Sequence, residues 1–598
     1  MCDALAHRGP DDAGIFVSSD QRVALGNRRL AIRDLSPLGH MPMLSGDGNI
    51  ALTYNGEMYN TEELRAELER AGCAFRSTSD TEVILRGYET WGEKILARIR
   101  GIFALVIYDA RGRVILARDP LGVKPLYYAH TDAGLVFASE LKALRATELV
   151  SRELDPISIV AYLELGAAPT PRTVYRDAHA LEAGSALTLD LATMATETMR
   201  FWTLPLTERV APNDVIAQTR ASLLDAVRSQ FVSDVPLGAF LSGGLDSSAV
   251  VALMRQATNG TLRTCSMIFD EAEFSEAPYA RAVAQHVGAE HFERVVTAED
   301  VKNELPRILW AMDQPTLDGV NSYFVSQTAR QAGLTVALSG LGGDELFGGY
   351  PTFYAAPRLE KNLQRVQKIP AAPALTRAAL SFAPRYAKIQ HALQSPASPA
   401  SAYLAYRGVF APSQVRALVT PEIWDAAKNF DPLHYISTRA FSDTRYAIRD
   451  SRFAWTTRAE LSTYTLNQLL RDTDVMSMSH SLEVRVPFLD TWLVEQILTL
   501  PDAAKQNGAP KSLLLKAVGD LLPAPVRERR VKQGFTFPFE KWLRGDLKNA
   551  LPQPTSEVTG ILQPRAVTRV LDSFERGKIH WSRAWSLLVL TAWLAERK

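Results

Sequence analysis

The sequence predicts two unlike fold classes in one chain: an α+β half, in which strands run in succession and form packed sheets, and an α/β half wound around a parallel sheet, ending in a helical part. Three observations carry this. Short alternating or apolar runs dominate residues 10–147. From Pro212 strands alternate strictly with helical patterns, and beyond residue 402 the pattern is mostly helical.

In the first half the strand-like runs are Gly14–Ser18, Val23–Ile32, Ile50–Tyr54, Gly101–Tyr108, Val114–Arg118 and Leu135–Ala138. Two helices interrupt them. One is capped at Asn60, with Glu63 three residues on, and runs to Arg70 before Gly72; the other follows Asp80 and ends near Gly92. Residues 150–207 read as a connection with a few more strands.

In the second half a helix (Val215–Ser229) precedes a strand (Val235–Leu241), a helix (Ser247–Ala257) and a strand (Leu262–Phe269). A helix (Ser275–Val287), a strand (Phe292–Val296), a helix opened by Thr297-Ala-Glu-Asp300 and a strand (Leu334–Leu338) follow. Strands separated by 10–15-residue helices indicate a parallel, doubly wound sheet. Ligands of such sheets sit at the carboxyl ends of strands, which directs attention to the loops after Leu241 and Leu338. Residues 355–402 form an Ala/Pro-rich insertion carrying Arg358, Lys361, Arg365, Lys368, Arg377, Arg385 and Lys388, read as a solvated helical segment, with a cover or partner surface as the alternative.

Composition narrows the function. At 598 residues the chain has room for more than one core. With 66 basic and 66 acidic residues an overall basic field for nucleic acid or anionic membrane is excluded, though a local patch is not. The three cysteines, Cys2, Cys73 and Cys265, form neither a disulfide framework nor a CxxC pair, which points to a reducing compartment. The apolar run at Leu587–Leu594 is far short of the ~20 residues that span a membrane, and Met1 leads straight into His7-Arg8-Gly9-Pro10-Asp11-Asp12 without a signal-peptide core. The expected location is the cytoplasm.

Two loops carry chemistry. Leu241-Ser242-Gly243-Gly244-Leu245-Asp246-Ser247-Ser248 joins an apolar strand to an apolar-striped helix. Its glycines permit a tight turn with inward N–H groups, its serines add hydroxyls and the helix start adds a positive end, which together make an anion nest. Asp246 would defeat that nest unless it holds a cation, for which Mg2+ is the usual choice. The Walker pattern GxxxxGK[ST] is absent, so the nest suits gripping a departing pyrophosphate. The second loop, Leu338 to Tyr350 (LSGLGGDELFGGY), repeats the combination of strand end, glycines and a carboxylate, Asp344.

These loops, with Arg471-Asp472-Thr473-Asp474, Leu482-Glu-Val-Arg-Val-Pro-Phe-Leu-Asp490 and Arg530-Val-Lys-Gln-Gly-Phe535, resemble the glutamine-hydrolysing asparagine synthetases. The resemblance continues upstream in HRGPDD, Asn55-Gly56-Glu57-Met58-Tyr59-Asn60, Ser79-Asp80-Thr81-Glu82 and Leu121-Gly-Val-Lys-Pro-Leu-Tyr127, in the family's order over nearly the whole chain. It implies an N-terminal-nucleophile-type glutaminase over residues 1–207 and an ATP-pyrophosphatase-type synthetase over 208–598. The first would release ammonia into an internal tunnel, and the second would adenylate a carboxylate, aspartate by default, whose AMP the ammonia displaces.

Carried over by position, Leu241, Ser242, Gly243, Gly244, Asp246, Ser247, Met267, Ser339 and Gly340 would bind ATP, and Asp246 and Asp344 would hold Mg2+. Lys532 would stabilise the reacting phosphorus and the departing pyrophosphate. Asp474, Glu483 and Arg485 fit either buried ion-pair scaffolding or substrate contact. The stretch Arg29-Leu30-Ala31-Ile32-Arg33 with Asn55, Gly56, Glu57 and Asp80 would bind glutamine. There Arg29 would take its carboxylate, Asp80 its ammonium (or else cap the helix that follows), and Asn55 with Gly56 the oxyanion. Small-molecule substrates are the expected partners, with no nucleic acid or membrane; a homodimer is left open.

Two departures from the family pattern stand out. The family's nucleophile is an N-terminal cysteine in Cys-Gly-Ile on a first strand, some tens of residues before HRGPD. Here Cys2 is followed by Asp-Ala-Leu-Ala and lies five positions before His7. That segment matches the helix before HRGPD, so the expectation is a truncated glutaminase with a glutamine pocket and no attacking group. Leu341 occupies the intermediate-forming position where the family commonly has glutamate, and leucine neither accepts nor donates a proton. The alternatives are therefore amidation of another carboxylate in an exopolysaccharide or natural-product pathway, an ammonia-only enzyme, or a catalytically silent relative.

Overall fold

The computed structural model describes the whole chain except residues 207–208, 381–385, 442–450, 507–508, 530–535, 552–559 and 597–598. The first half contains β1 (Asp12–Val17), β2 (Ala24–Arg29), β3 (Met43–Leu44), β4 (Ile50–Met58), β5 (Gly101–Asp109), β6 (Arg113–Arg118), β7 (Tyr127–Thr131), β8 (Gly134–Ala138), β9 (Ala178–Ala180), β10 (Ser185–Asp190) and β11 (Thr196–Arg200). Six of these form an antiparallel sheet in the order β11-β10-β6-β5-β4-β3, while β1-β2 and β8-β7-β9 form two smaller sheets.

Strand β5 explains the layering. Every residue of it is buried, so its apolar run is continuous rather than alternating. Phe103, Leu105 and Ile107 face helices α1 (Thr61–Arg70) and α2 (Asp80–Trp91), packing with Leu64, Leu68, Val83 and Ile84. Ala104 and Val106 face the opposite way, into a cluster with Leu25 of β2 and Leu126, against which Leu135 and Phe137 of β8 pack. Two sheet layers thus pack face to face, as the predicted sandwich requires. Helices α3 (Leu141–Arg145) and α4 (Pro156–Leu165) cover the outer layer through Leu141, Leu144, Ile159 and Leu163. Asn60 does precede α1, but its side chain makes no cap; it pairs instead with the backbone of Arg98 and Arg100.

The second half holds a five-stranded parallel sheet in the order β14-β13-β12-β15-β16, formed by β12 (Leu237–Phe240), β13 (Arg263–Ile268), β14 (Glu290–Val295), β15 (Val336–Leu338) and β16 (Glu483–Arg485). Helices α5 (Val215–Ser229), α6 (Leu245–Ala257), α7 (Ala277–Val287), α8 (Ala298–Met312) and α9 (Val320–Gln331) alternate with the first four strands. The chain winds outward from β12 through β13 to β14, then returns to place β15 on β12's other side. That reversal opens a crevice at the carboxyl ends of β12 and β15.

Of the insertion's basic residues, Arg358, Lys361, Arg365, Lys368 and Arg377 are exposed, as a solvated segment would have them. Arg385 lies outside the described residues, and Lys388 turns inward. No helix among the described residues is long and apolar enough to cross a membrane.

Candidate active site

The two glycine loops interlock at the crevice. The Leu241 carbonyl accepts the Ser266 hydroxyl from β13, which fixes the loop start. The Ser242 and Ser247 hydroxyls stand 3.0 Å apart, and the Gly244 N–H donates to Ser242 Oγ at 3.3 Å. Gly243 has φ +81°, and a Cβ there would stand 2.7 Å from Tyr279 Cβ, so the turn demands glycine. Gly244 caps α6 and leaves Asp246 in its first turn. From the second loop, a Cβ on Gly340 would stand 2.7 Å from the Ser247 nitrogen and one on Gly343 2.6 Å from Asp246 Cγ. Missing side chains are what let the two backbones touch.

Asp246 and Asp344 meet on one cation, Lys511 Nζ; its distance to Asp344 Oδ1 is 2.5 Å. Lys511 is buried and has φ +53°, a strained setting for a lysine. Burial pulls its ammonium toward neutrality, but the two carboxylates outweigh this and hold its pKa well above the usual lysine range. Two carboxylates converging on a shared positive charge are a donor set that fits Mg2+. Sequence reading missed Lys511 because Lys-Ser-Leu-Leu-Leu-Lys looks like an ordinary helix start, 265 residues from Asp246.

Ser242 and Met267 line a narrow crevice with Phe269, Phe274 and Thr536. Lys532 lies outside the described residues. Thr536, just beyond that stretch, also lines a cavity of about 750 Å3 together with Asp344, Leu317, Asp318 and Asn321. Thr463, Tyr464, Asn467 and Gln468, from a π-helical stretch at Glu460–Leu470, line it too; π-turns recur at functional sites. Leu341 does not line it. That side chain packs against the apolar cluster of Leu338, Leu346 and Phe488.

A second cavity, about 390 Å3, opens in the first half and is lined by Arg29, Leu30, Ile32, Arg33, Asn55, Gly56, Glu57 and Asp80. Ala31 is the exception among the predicted glutamine residues: its N–H is tied to Asp11 at 2.8 Å, away from the cavity. Asn55 Nδ2 is buried without a hydrogen-bond partner among the described residues, a donor kept for something else. Arg29 donates to the carbonyls of Arg33 (3.0 Å) and Asp34 (2.6 Å) and has no carboxylate partner among the described residues. Asp80 does not cap α2; Ser79 does. The Asp80 carboxylate accepts from Tyr54 Oη at 3.1 Å and from the Met58 N–H at 3.0 Å, and burial pushes its pKa up.

Cys2 also borders this cavity: its Sγ would lie 2.4 Å from a Cβ on Gly26. As expected, it precedes a short helical turn, Asp3–Leu5, rather than lying on a strand. The outer sheet layer is split at this point. Strand β2 ends one small sheet and β8 the other, and residues of both line the cavity between them.

Glu483, from β16, lines the same cavity, where buried charges alternate across the two halves. Arg33 pairs with Glu57 (3.3 Å), Glu57 with Arg485 (2.8 Å) and Arg485 with Glu483 (2.9 Å). Lys124 then pairs with Glu483 and Asp474 (3.5 Å each), Arg8 with Asp474 (2.6 Å) and Arg8 with Glu140 (2.8 Å). Asp474, Glu483 and Arg485 are thus all engaged in buried ion pairs. Burial pushes the Glu57 carboxyl up, against the pull of Arg485.

Family models match both halves: asparagine synthase over residues 218–595 and a glutamine amidotransferase domain over 1–202. The chain belongs to the asparagine synthase family. It is 32% identical to asparagine synthetase [glutamine-hydrolyzing] 1 of Bacillus subtilis, over 99% of this chain and 92% of that protein. It is 29% identical to asparagine synthetase [glutamine-hydrolyzing] 3 of the same organism, over 89% of this chain and 82% of that one. Membership makes the chain an ATP-dependent carbon–nitrogen ligase of amidotransferase type, acting on small molecules.

Proposed function

We propose that the chain makes asparagine from aspartate. The β-carboxylate oxygen attacks the α-phosphorus of ATP and expels pyrophosphate. Ammonia then attacks the acyl carbon, and AMP leaves with the carboxylate oxygen. The observation that carries this reading is the interlocked pair of loops, with Asp246 and Asp344 converging on one cation at the switch point of the sheet.

The chain's own groups divide the work. Gly243 and Gly340 admit the nucleotide close to the backbone, and Ser242, Ser247 and the start of α6 donate toward its phosphates. Asp246 and Asp344 would hold Mg2+, which when bound neutralises charge on the triphosphate. Lys532 is assigned the charge at the reacting phosphorus by its place in the sequence. The full-length relatives named asparagine synthetases favour aspartate over the other carboxylates, despite Leu341.

In the first half, Arg29 and Asp80 would hold the two ends of glutamine, and the unpaired Asn55 Nδ2 beside Gly56 would face the developing oxyanion. Pyrophosphate release is measured with ATP, Mg2+ and aspartate, supplying ammonium or glutamine. Turnover with aspartate is expected when ammonium is supplied. No turnover with either nitrogen source overturns the synthetase assignment.

A further inference from the structure

The 750 Å3 cavity contains more positive charge than adenylation accounts for. Of its basic groups, Arg407 is spent on Glu460 (2.8 Å) and lies over the rings of Tyr350 and Tyr464. Lys388 and Arg583 are different. Lys388 Nζ donates to the Gly408 carbonyl at 2.6 Å and Arg583 Nε to the Val409 carbonyl at 3.0 Å, and neither has a carboxylate partner among the described residues. They arrive on separate elements, the helix Ala387–Gln394 of the insertion and the first turn of the helix Trp581–Glu596.

Arg583 is 5% exposed. Burial, then the neighbouring Arg583, draws Lys388 down to about 8, and burial lowers Arg583 itself. His580 shares the wall and is also held down, by burial first and then by both cations against the pull of Glu540. A half-buried lysine beside a buried arginine, with no carboxylate partner for either among the described residues, is a costly arrangement unless an anion joins them. The N-terminal end of the Trp581–Glu596 helix adds its positive end.

The acidic side of the cavity is equally specific. Asp344 is held by Lys511. Asp318 accepts the Gly319 N–H at 2.9 Å and a hydrogen bond from the Asn321 side chain, and makes no ion pair among the described residues. One carboxylate and two cations without ion-pair partners among the described residues are the complement of an α-amino-acid head group.

We propose that Lys388 and Arg583 seat the non-reacting carboxylate of the acid, so that this site selects a dicarboxylate. Asp318 then faces its ammonium. The assignment rests on the reading of the cavity as the acid site of the ligase, and it gives the basic insertion a role in substrate choice.

The test uses the full chain and two ligands: aspartate, and β-alanine, which is the same molecule without the α-carboxylate. Calorimetric binding of each is measured beside pyrophosphate release, for the wild type, Lys388→Met, Arg583→Met and the charge-keeping Lys388→Arg. The wild type is expected to prefer aspartate. Each Met variant should weaken aspartate binding about tenfold or more and leave β-alanine nearly unchanged, and Lys388→Arg should restore much of the preference. No preference in the wild type, or a preference that survives in both Met variants while their Tm is unchanged, overturns the proposal. A preference that depends on Lys388 and Arg583 in a protein that releases no pyrophosphate would uphold the seat and overturn the ligase reading instead.

Discussion

The Glu57 carboxylate and the Arg485 guanidinium meet at 2.8 Å and join the two halves of the chain. Glu57 follows Asn55 and Gly56 on β4, and the Arg485 carbonyl on β16 accepts the Ser339 N–H that opens the second glycine loop, also at 2.8 Å. One residue thus touches both candidate sites, by its side chain on one side and its backbone on the other. Arg485→Met leaves Glu57 and Glu483 buried around a lost charge, which costs about 3–5 kcal/mol. Thermal unfolding should show a fall of several degrees in Tm, and an unchanged Tm would contradict the pair's structural role.

Lys511 holds Asp246 and Asp344 together. Lys511→Met leaves two half-buried carboxylates facing one another, so the variant should be destabilised by about 1–3 kcal/mol in metal-free buffer. Mg2+ should then raise its Tm more than it raises that of the wild type. Equal Mg2+ responses would argue that the two carboxylates do not form one cation site.

Asp80 is assigned the ammonium of glutamine. Asp80→Asn keeps the shape and the acceptor for Met58 but loses the charge, and should weaken glutamine binding about tenfold or more. Ammonium-dependent pyrophosphate release should be unaffected. A glutamine affinity equal to that of the wild type would remove Asp80 from the site.

Glu164 on α4 is buried, and its Oε2 has no partner among the described residues. Burial, with Asp431 adding to it, pushes its pKa up to about 8 from the ordinary 4.5. Between those values the unfolded chain releases a proton that the folded chain keeps, so stability falls as pH rises, by up to about 1.4 kcal/mol per pH unit. The stabilisation is complete below about pH 4.5 and gone above about pH 8. Glu164→Gln should lack this slope and gain on the wild type as pH rises from 5 to 8 in urea unfolding. Parallel profiles would contradict the assignment.

Much of this architecture was legible in the sequence where the local pattern was strong. The apolar run of β5, the strand–glycine–helix transitions at Leu241 and Leu338 and the Ser79-Asp80 helix start all lie where the residues placed them. Strand β16 was not legible as a strand. It is three residues long and pairs with β15 far back in the chain, and such pairing leaves no local periodicity. Lys511 and Arg583 were not singled out, and Lys388 was read only as part of the basic insertion, for a related reason. An isolated cation reads as surface, and only the tertiary fold shows which groups enclose it. Ala31 shows the limit of carrying over a contiguous motif whole: its N–H bonds Asp11, and it is not among the residues lining the cavity.

The most direct test follows an oxygen atom. Aspartate labelled with 18O in its β-carboxylate is supplied with ATP, Mg2+ and ammonium, and the nucleotide product is analysed by mass spectrometry. Transfer of one labelled oxygen to AMP is predicted, because the carboxylate oxygen that attacks the α-phosphorus leaves with it. Formation of ADP, or of AMP without label in step with asparagine, would contradict the account.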